Sequence, residues 1–203
     1  MIKPINVLPG FDLWPGLLGA PAQHDLARRV EAAFEAAPPA RYETAYGKAM
    51  SVAMTSFGPL GWTSDKTGYR YADRHPGTGR PWPPMPQALL DLWADLGDAG
   101  TPPDSALVNL YRDDARMGLH QDRDEQDYGH PIVSVSLGMP ATFLFGGLTR
   151  AERPQRILLE HGDVVVWGGT DRLRFHGVAT LKDHPHPALG SVRLNLTFRH
   201  AGS

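Results

Sequence analysis

The sequence predicts a mainly β protein with flanking helices, arranged as a double-sheet jelly roll. Three observations carry that expectation. From residue 107 the apolar pattern switches to short, alternating or β-branched runs separated by Gly, Pro or charge. Nineteen Pro and 22 Gly in 203 residues require many turns and short elements. No strand–helix–strand alternation occurs, which argues against a doubly wound parallel sheet.

The elements follow in order. Residues 1–20 are rich in Gly and Pro and are expected to be irregular. In "HDLARRVEAAFEAA" (24–37), Leu26, Val30, Ala33 and Phe34 recur at the spacing of one helical face, and Pro38-Pro39 ends the helix. Residues 40–85 mix short apolar pieces with Gly, Pro and Tyr, as hairpins and loops do. "PQALLDLWADLG" (86–97) predicts a second amphipathic helix, with Leu89, Leu92, Trp93 and Leu96 on its buried stripe. The strand runs are "ALVNLY", "PIVSVSL", "ATFLF", "RILLE", "DVVVW", "RLRFHGV" and "SVRLNLTFRH". Seven or eight such strands behind two helices form a jelly roll backed by helices.

Bulk properties narrow the function. A chain of this size and 41% hydrophobic content can bury an ordinary core as one domain. Net charge is −2 and the pI near 6.5, against non-specific coating of nucleic acid, though contact with a few nucleotides is compatible. The absence of Cys excludes disulfides, thiolate catalysis and Cys-ligated metals. With neither a signal-peptide pattern nor a spanning apolar run, the expectation is a cytoplasmic protein without a membrane partner.

One loop concentrates the chemistry. "GLHQDRDEQDYGH" (118–130) carries His120 and Asp122 two residues apart, which aim the same way in an extended segment. It reads either as a solvated tip or as half of a metal site. Two His and one carboxylate on one face of an iron ion leave positions open for chemistry. Of the remaining His, His161 lies in "LLEHGDVVVW", a hairpin turn. His184 and His186 flank Pro185 in a surface loop and are expected to be solvated. His176, inside a strand and followed by Gly177, is the best third ligand, because glycine permits close backbone approach. Spacing alone leaves the metal reading and the solvated reading evenly matched.

The last strand adds weight. "RLNLTFR" puts Leu194, Leu196 and Phe198 on one face and Arg193, Asn195, Thr197 and Arg199 on the other. The polar face reads either as a solvated outer surface or as the lining of a barrel mouth. In the second case two guanidiniums suit a small dianion. A diacid beside an open iron site suggests 2-oxoglutarate.

With these residues in place, "HQDRDE", "PIVSVSLG", "LLEHGDVVVWGG", "FHG" and "RLNLTFRHAG", in that order, resemble the AlkB family of Fe(II)/2-oxoglutarate dioxygenases, in particular the bacterial DNA-repair members. "MSVAMTSFGPLGWT" and "GYRY" are similar too, so the resemblance spans about residues 42–202. It implies a double-stranded β-helix core over about residues 105–203, a nucleotide-recognition lid over about residues 40–85, and one domain throughout. It implies His120, Asp122 and His176 as the catalytic iron ligands, with O2 as oxidant. It implies 2-oxoglutarate held by Arg193 at its distal carboxylate and Arg199 at its iron-side carboxylate, assisted by Asn109, Tyr111 and Asn195.

For substrate binding the resemblance implies Trp62, Tyr69, Tyr71, Asp124 and Arg150, and more weakly Thr44 and Met54. Trp62 would stack on a flipped base, with His120 on the other side, and Asp124 would favour a cationic methylated base. The implied reaction is oxidative demethylation of N-alkylated bases such as 1-methyladenine and 3-methylcytosine in DNA, with release of succinate, CO2 and formaldehyde. The expected partner is alkylated DNA, single-stranded by preference, with RNA or another substrate as the alternative, and the expected state a monomer. Competing readings are a non-catalytic β-sandwich, which predicts a degraded metal triad, and a zinc hydrolase, which gives no role to the paired Arg strand. Lys48, Lys66, Arg70 and Arg112 read as scattered surface charge. Arg174, where the family has an aromatic, is expected to alter the pocket rim.

Overall fold

The computed structural model describes residues 2–44 and 47–202; the lid range 40–85 thus includes Ala45 and Tyr46, which lie outside the described residues. Strands β1 (Ile5–Leu8) and β2 (Phe11–Trp14) form a hairpin. Helix α1 (Ala20–Ala36) and strands β3 (Ala53–Phe57), β4 (Gly61–Asp65) and β5 (Gly68–Ala72) follow. Helix α2 (Gln87–Leu96) leads into β6 (Ser105–Arg112), β7 (Met117–His120), β8 (Ile132–Gly138) and β9 (Ala141–Phe145). The chain ends with β10 (Gln155–Leu159), β11 (Val164–Trp167), a 3-10 turn at Gly169–Asp171, β12 (His176–Val178) and β13 (Val192–Arg199).

Seven strands in the order β1-β2-β11-β8-β13-β6-β3 form the large sheet, and β10-β9-β12-β7 form the small one. All their pairings are antiparallel. Phe143, Phe145, Leu159 and Val178 of the small sheet meet Phe11, Tyr111, Ile132, Val165 and Trp167 of the large one in a shared core. The opposite face of the large sheet carries Val108, Val133, Val135, Leu194, Leu196 and Phe198, and buries them under Leu26, Val30, Leu89 and Trp93 of the two helices. Burying each such aliphatic side chain contributes about 1.5–3 kcal/mol. β13 alternates between these two cores, so its polar face looks into the space between the sheets.

Three expectations change. Residues 1–20 are not wholly irregular, because β2 pairs with β11 and extends the large sheet; their Gly and Pro fall in the turns. "RLRFHGV" is strand only over His176–Val178, since Arg172–Phe175 follow the 3-10 turn. Met117–His120, absent from the strand runs, is β7, which carries the first half of the metal motif. Within residues 40–85, β3 joins the large sheet beside β6, whereas β4 and β5 stand off as a separate two-stranded hairpin.

Candidate active site

β7 and β12 are neighbours in the small sheet, and their register sets His120 directly opposite His176. Gly177 makes that contact possible: a Cβ there would lie 2.6 Å from the Met117 carbonyl oxygen. Asp122 follows two residues after the end of β7. Its carboxylate lies 3.4 Å from Nε2 of His120 and 3.6 Å from Nε2 of His176. One ligand atom from each residue falls within 4.8 Å of the others, and this is the one such group of three among the described residues.

The imidazoles are oriented from behind. Nδ1 of His120 lies 2.9 Å from the Gly118 carbonyl oxygen, and Nδ1 of His176 lies 3.0 Å from that of Arg174. With a carbonyl oxygen as its partner each Nδ1 donates, which leaves each Nε2, on the Asp122 side, as the nitrogen available to a metal, the arrangement that metal-ligating His commonly shows. Burial lowers the pKa of His176, favouring the neutral, ligating form. Burial pulls His120 down too, but the Asp122 carboxylate outweighs it and the net shift is upward. Asp122 sits well below the usual carboxylate range, because Arg199 and the two His overcome its own desolvation.

The inward face of β13 supplies the cations. Arg199 Nη1 forms an ion pair with Asp122 Oδ2 at 2.8 Å and donates to Glu125 Oε1 at 2.6 Å. Arg193, 1% exposed, donates to Ser136 Oγ at 3.0 Å and to the Met139 carbonyl oxygen at 3.3 Å, and its Nε has no partner. Among the described residues no carboxylate pairs with it, and burial pushes its pKa down to about 10. Tyr111 stands directly opposite Arg193 on β6, and Asn109 opposite Asn195, to which it donates at 3.2 Å. Asn109, His120, Asp122, Trp167, His176, Arg193, Asn195 and Arg199 line one inner cavity.

That cavity meets a groove of ≈ 1160 Å³ at His120, Asp122 and Arg199. The groove exceeds the roughly 300–1,000 Å³ common for small-ligand pockets. Trp62, Tyr69, Tyr71, Asp124 and Arg150 all line it, as do Thr44, Met54 and Lys48. Trp62 and Tyr71 are a cross-strand pair on the β4–β5 hairpin. Trp62 stacks on Tyr69 at 5.4 Å between ring centroids and donates from Nε1 to Asp124 at 2.9 Å. The Arg150 guanidinium lies over the Phe175 ring at 5.1 Å.

A family model described as the 2OG-Fe(II) oxygenase superfamily matches residues 10–199. The chain belongs to that superfamily. Within it, the oxygenase is 58% identical to an alpha-ketoglutarate-dependent dioxygenase AlkB homolog of Caulobacter vibrioides, over 98% of this chain and 91% of that one. It is 49% identical to the alpha-ketoglutarate-dependent dioxygenase AlkB of Escherichia coli, over 89% of this chain and 86% of that one. Among solved structures, that of OsALKBH1 superposes with a TM-score of 0.85 at 30% identity, covering 98% of this chain and all of the other. The oxygenase is thus an AlkB-family, Fe(II)/2-oxoglutarate-dependent dioxygenase, and its fold is the expected jelly roll.

The oxygenase's residues fit both groups its family requires. Two imidazoles and a carboxylate suit iron(II). Arg193, a buried cation with an unpartnered Nε and no carboxylate in ion-pair contact among the described residues, suits a carboxylate from outside the chain.

Some expected positions differ. Arg174 does not line the groove; its guanidinium pairs with Asp171 and donates to the Gly146 carbonyl oxygen at 3.1 Å. Phe175, the next residue, lines the groove instead. His161 sits in the turn between β10 and β11 as expected, while His186 is not simply solvated but stacks on His161 at 3.9 Å. Sequence reasoning passed over Glu125, Arg172 and Trp167. Glu125 is buried and accepts from the Tyr71 hydroxyl at 2.8 Å as well as from Arg199. Its adjacency to Asp124 was the available signal, but it reads as one more loop charge.

Proposed function

We propose that this dioxygenase removes N-alkyl groups from nucleobases in DNA, 1-methyladenine and 3-methylcytosine among them. One observation carries the reading: the His120–Asp122–His176 group stands where an aromatic-lined groove meets a cavity holding two buried Arg. In this reading His120, Asp122 and His176 hold the iron. Arg193 takes the distal carboxylate of 2-oxoglutarate and Arg199 the iron-side one, with Asn109, Tyr111 and Asn195 alongside.

Iron, O2 and 2-oxoglutarate, when bound, supply the oxidation of the N-alkyl carbon, yielding succinate, CO2 and formaldehyde. The chain orients and excludes water. Trp62 and His120 flank the base, stacking that contributes about 1–3 kcal/mol. Asp124 offers a carboxylate to a cationic methylated base, and a base that cannot pair is cheaper to extrude. Tyr69, Tyr71 and Arg150 complete the substrate wall. The β4–β5 hairpin and the segments around it act as the nucleotide-facing lid of a single domain.

The reading includes a monomeric, cytoplasmic enzyme that prefers single strands. No helix among the described residues is long and apolar enough to cross a membrane.

The test is anaerobic reconstitution with Fe(II) and 2-oxoglutarate, then air and a single-stranded oligonucleotide bearing one 1-methyladenine, read by mass spectrometry. Loss of one methyl that depends on both iron and 2-oxoglutarate is expected. Succinate without demethylation would discard this substrate in favour of RNA or another one.

A further inference from the structure

Arg172 has no part in the reading above, yet it is among the largest fully buried side chains, 2% exposed. It lies just after the 3-10 turn and faces the loop that follows β7. Its Nη1 donates to the Asp122 carbonyl oxygen at 2.9 Å and its Nε to that of His130 at 3.1 Å. Its Nη2 lies 3.5 Å from Glu125 Oε2. That oxygen has no hydrogen-bond partner among the described residues, whereas Oε1 accepts from both Tyr71 and Arg199.

One buried carboxylate therefore stands between two buried guanidiniums, and the second of these, Arg199, also grips Asp122. Asp122 and Glu125 against Arg172 and Arg199 leave no net charge. Both anions meet Arg199 through Nη1, so a carboxylate that engages this guanidinium from the cavity draws on a charge the two already share. A metal ion at Asp122 compensates the first. The second, Glu125, would become a buried charge short of a partner, which is strongly unfavourable.

We propose that Arg172 is a positioning residue that compensates Glu125 and so leaves Arg199 available to a carboxylate of 2-oxoglutarate. The proposal rests on the assignment of Arg199 under Proposed function. Glu125 Oε2 is the atom through which Arg172 takes over, since it is unsatisfied and already within ion-pair range. Without Arg172, Glu125 competes with the cosubstrate for Arg199.

The test is binding rather than turnover: titration calorimetry of 2-oxoglutarate into the Mn(II)-loaded full chain under nitrogen. Arg172→Gln should raise the Kd about tenfold, the loss expected when one charge-assisted hydrogen bond is contested. Adding Glu125→Gln removes the competitor and should bring the Kd back to within about twofold of wild type, although the double variant disturbs the core more. Rescue of that sign distinguishes charge competition from a packing role, which predicts accumulating losses. An unchanged Kd in Arg172→Gln, or weaker binding in the double variant than in the single one, would overturn the proposal. Should Arg172→Gln fail to fold by circular dichroism, Glu125→Gln alone decides: severalfold tighter binding supports the role, and unchanged or weaker binding sinks it. Wild-type protein that binds no 2-oxoglutarate overturns the assignment of Arg199 itself, a result distinct from equal Kd values in wild type and variant.

Discussion

Trp62 stands directly opposite Tyr71 across the β4–β5 hairpin, and the two side chains hold consecutive carboxylates, Asp124 and Glu125, two and three residues after Asp122. The Tyr71–Glu125 bond is the buried anchor of the hairpin, whereas the Trp62–Asp124 bond faces the groove. The Trp62 ring is thus stacked on Tyr69 and tethered by its Nε1, which fixes the face it would offer a base under the proposed function.

Trp62→Phe keeps an aromatic face and loses the bond to Asp124; Trp62→Ala loses both. We expect Trp62→Ala to weaken oligonucleotide binding about 5- to 150-fold, the equivalent of about 1–3 kcal/mol of stacking. Trp62→Phe should bind more tightly than Trp62→Ala, and 2-oxoglutarate affinity should stay constant in both. Fluorescence anisotropy and calorimetry measure the two quantities. Equal oligonucleotide affinity in Trp62→Ala and wild type would remove Trp62 from the substrate wall.

Arg193 supplies a second expectation. It is a buried cation whose Nε has no hydrogen-bond partner, so a carboxylate that binds there should stabilise the fold. At 100 times Kd the linked stabilisation is about 2.7 kcal/mol. For a chain of this size that corresponds to a Tm rise of roughly 5–10 °C. Differential scanning calorimetry of the Mn(II) protein with 2-oxoglutarate should show that rise in wild type and lose it in Arg193→Met. The same rise in both proteins would place the dianion elsewhere.

Gly177→Ala tests the register that sets His120 against His176. The added Cβ, 2.6 Å from the Met117 carbonyl oxygen, must push β12 from β7. Overpacking of this kind costs about 1–3 kcal/mol. A lower Tm together with weaker Mn(II) binding is expected. Wild-type values for both would show that the ladder accommodates a methyl group without moving the imidazoles.

Acid sensitivity follows from Glu125. Burial alone would raise its pKa, but Arg199 and Arg172 outweigh burial and hold it below the ordinary value of 4.5. A carboxyl depressed in the folded state stabilises it above the unfolded pKa, and that contribution fades as pH falls through the folded pKa. The Tm difference between wild type and Glu125→Gln should therefore be constant near neutrality and shrink below about pH 4.5. A gap that widens on acidification would reverse the sign assigned here.

What the sequence makes legible is whatever has a period. β13 alternates strictly between Leu194, Leu196, Phe198 and Arg193, Asn195, Thr197, Arg199, and the two sets do face different cores. His120-x-Asp122 and Phe175-His176-Gly177 are similarly compact signals, and the β7–β12 register brings them together. The hairpin β1–β2 escapes because four-residue strands are too short to show alternation, and Pro9, Gly10, Pro15 and Gly16 dominate the composition around them. Arg172 escapes for another reason. "RLRF" alternates like a strand, yet the 3-10 turn before it directs Arg172 inward to Asp122, Glu125 and His130. Ion pairs between a loop and a turn 47 residues apart leave no local trace in the chain.

The two-sided burial of β13 has a consequence for how this chain tolerates change. In a saturation mutagenesis experiment the strand should print a barcode. Positions 194, 196 and 198 should accept exchanges among aliphatic residues, with fitness following melting temperature, because they face the helices. Positions 193, 195, 197 and 199 should reject nearly everything, and no amount of extra thermal stability introduced elsewhere should rescue the losses at 193 and 199. The two classes of defect would lie one residue apart along eight residues of backbone, separable by a chaperone or a stabilising background in one case and by neither in the other.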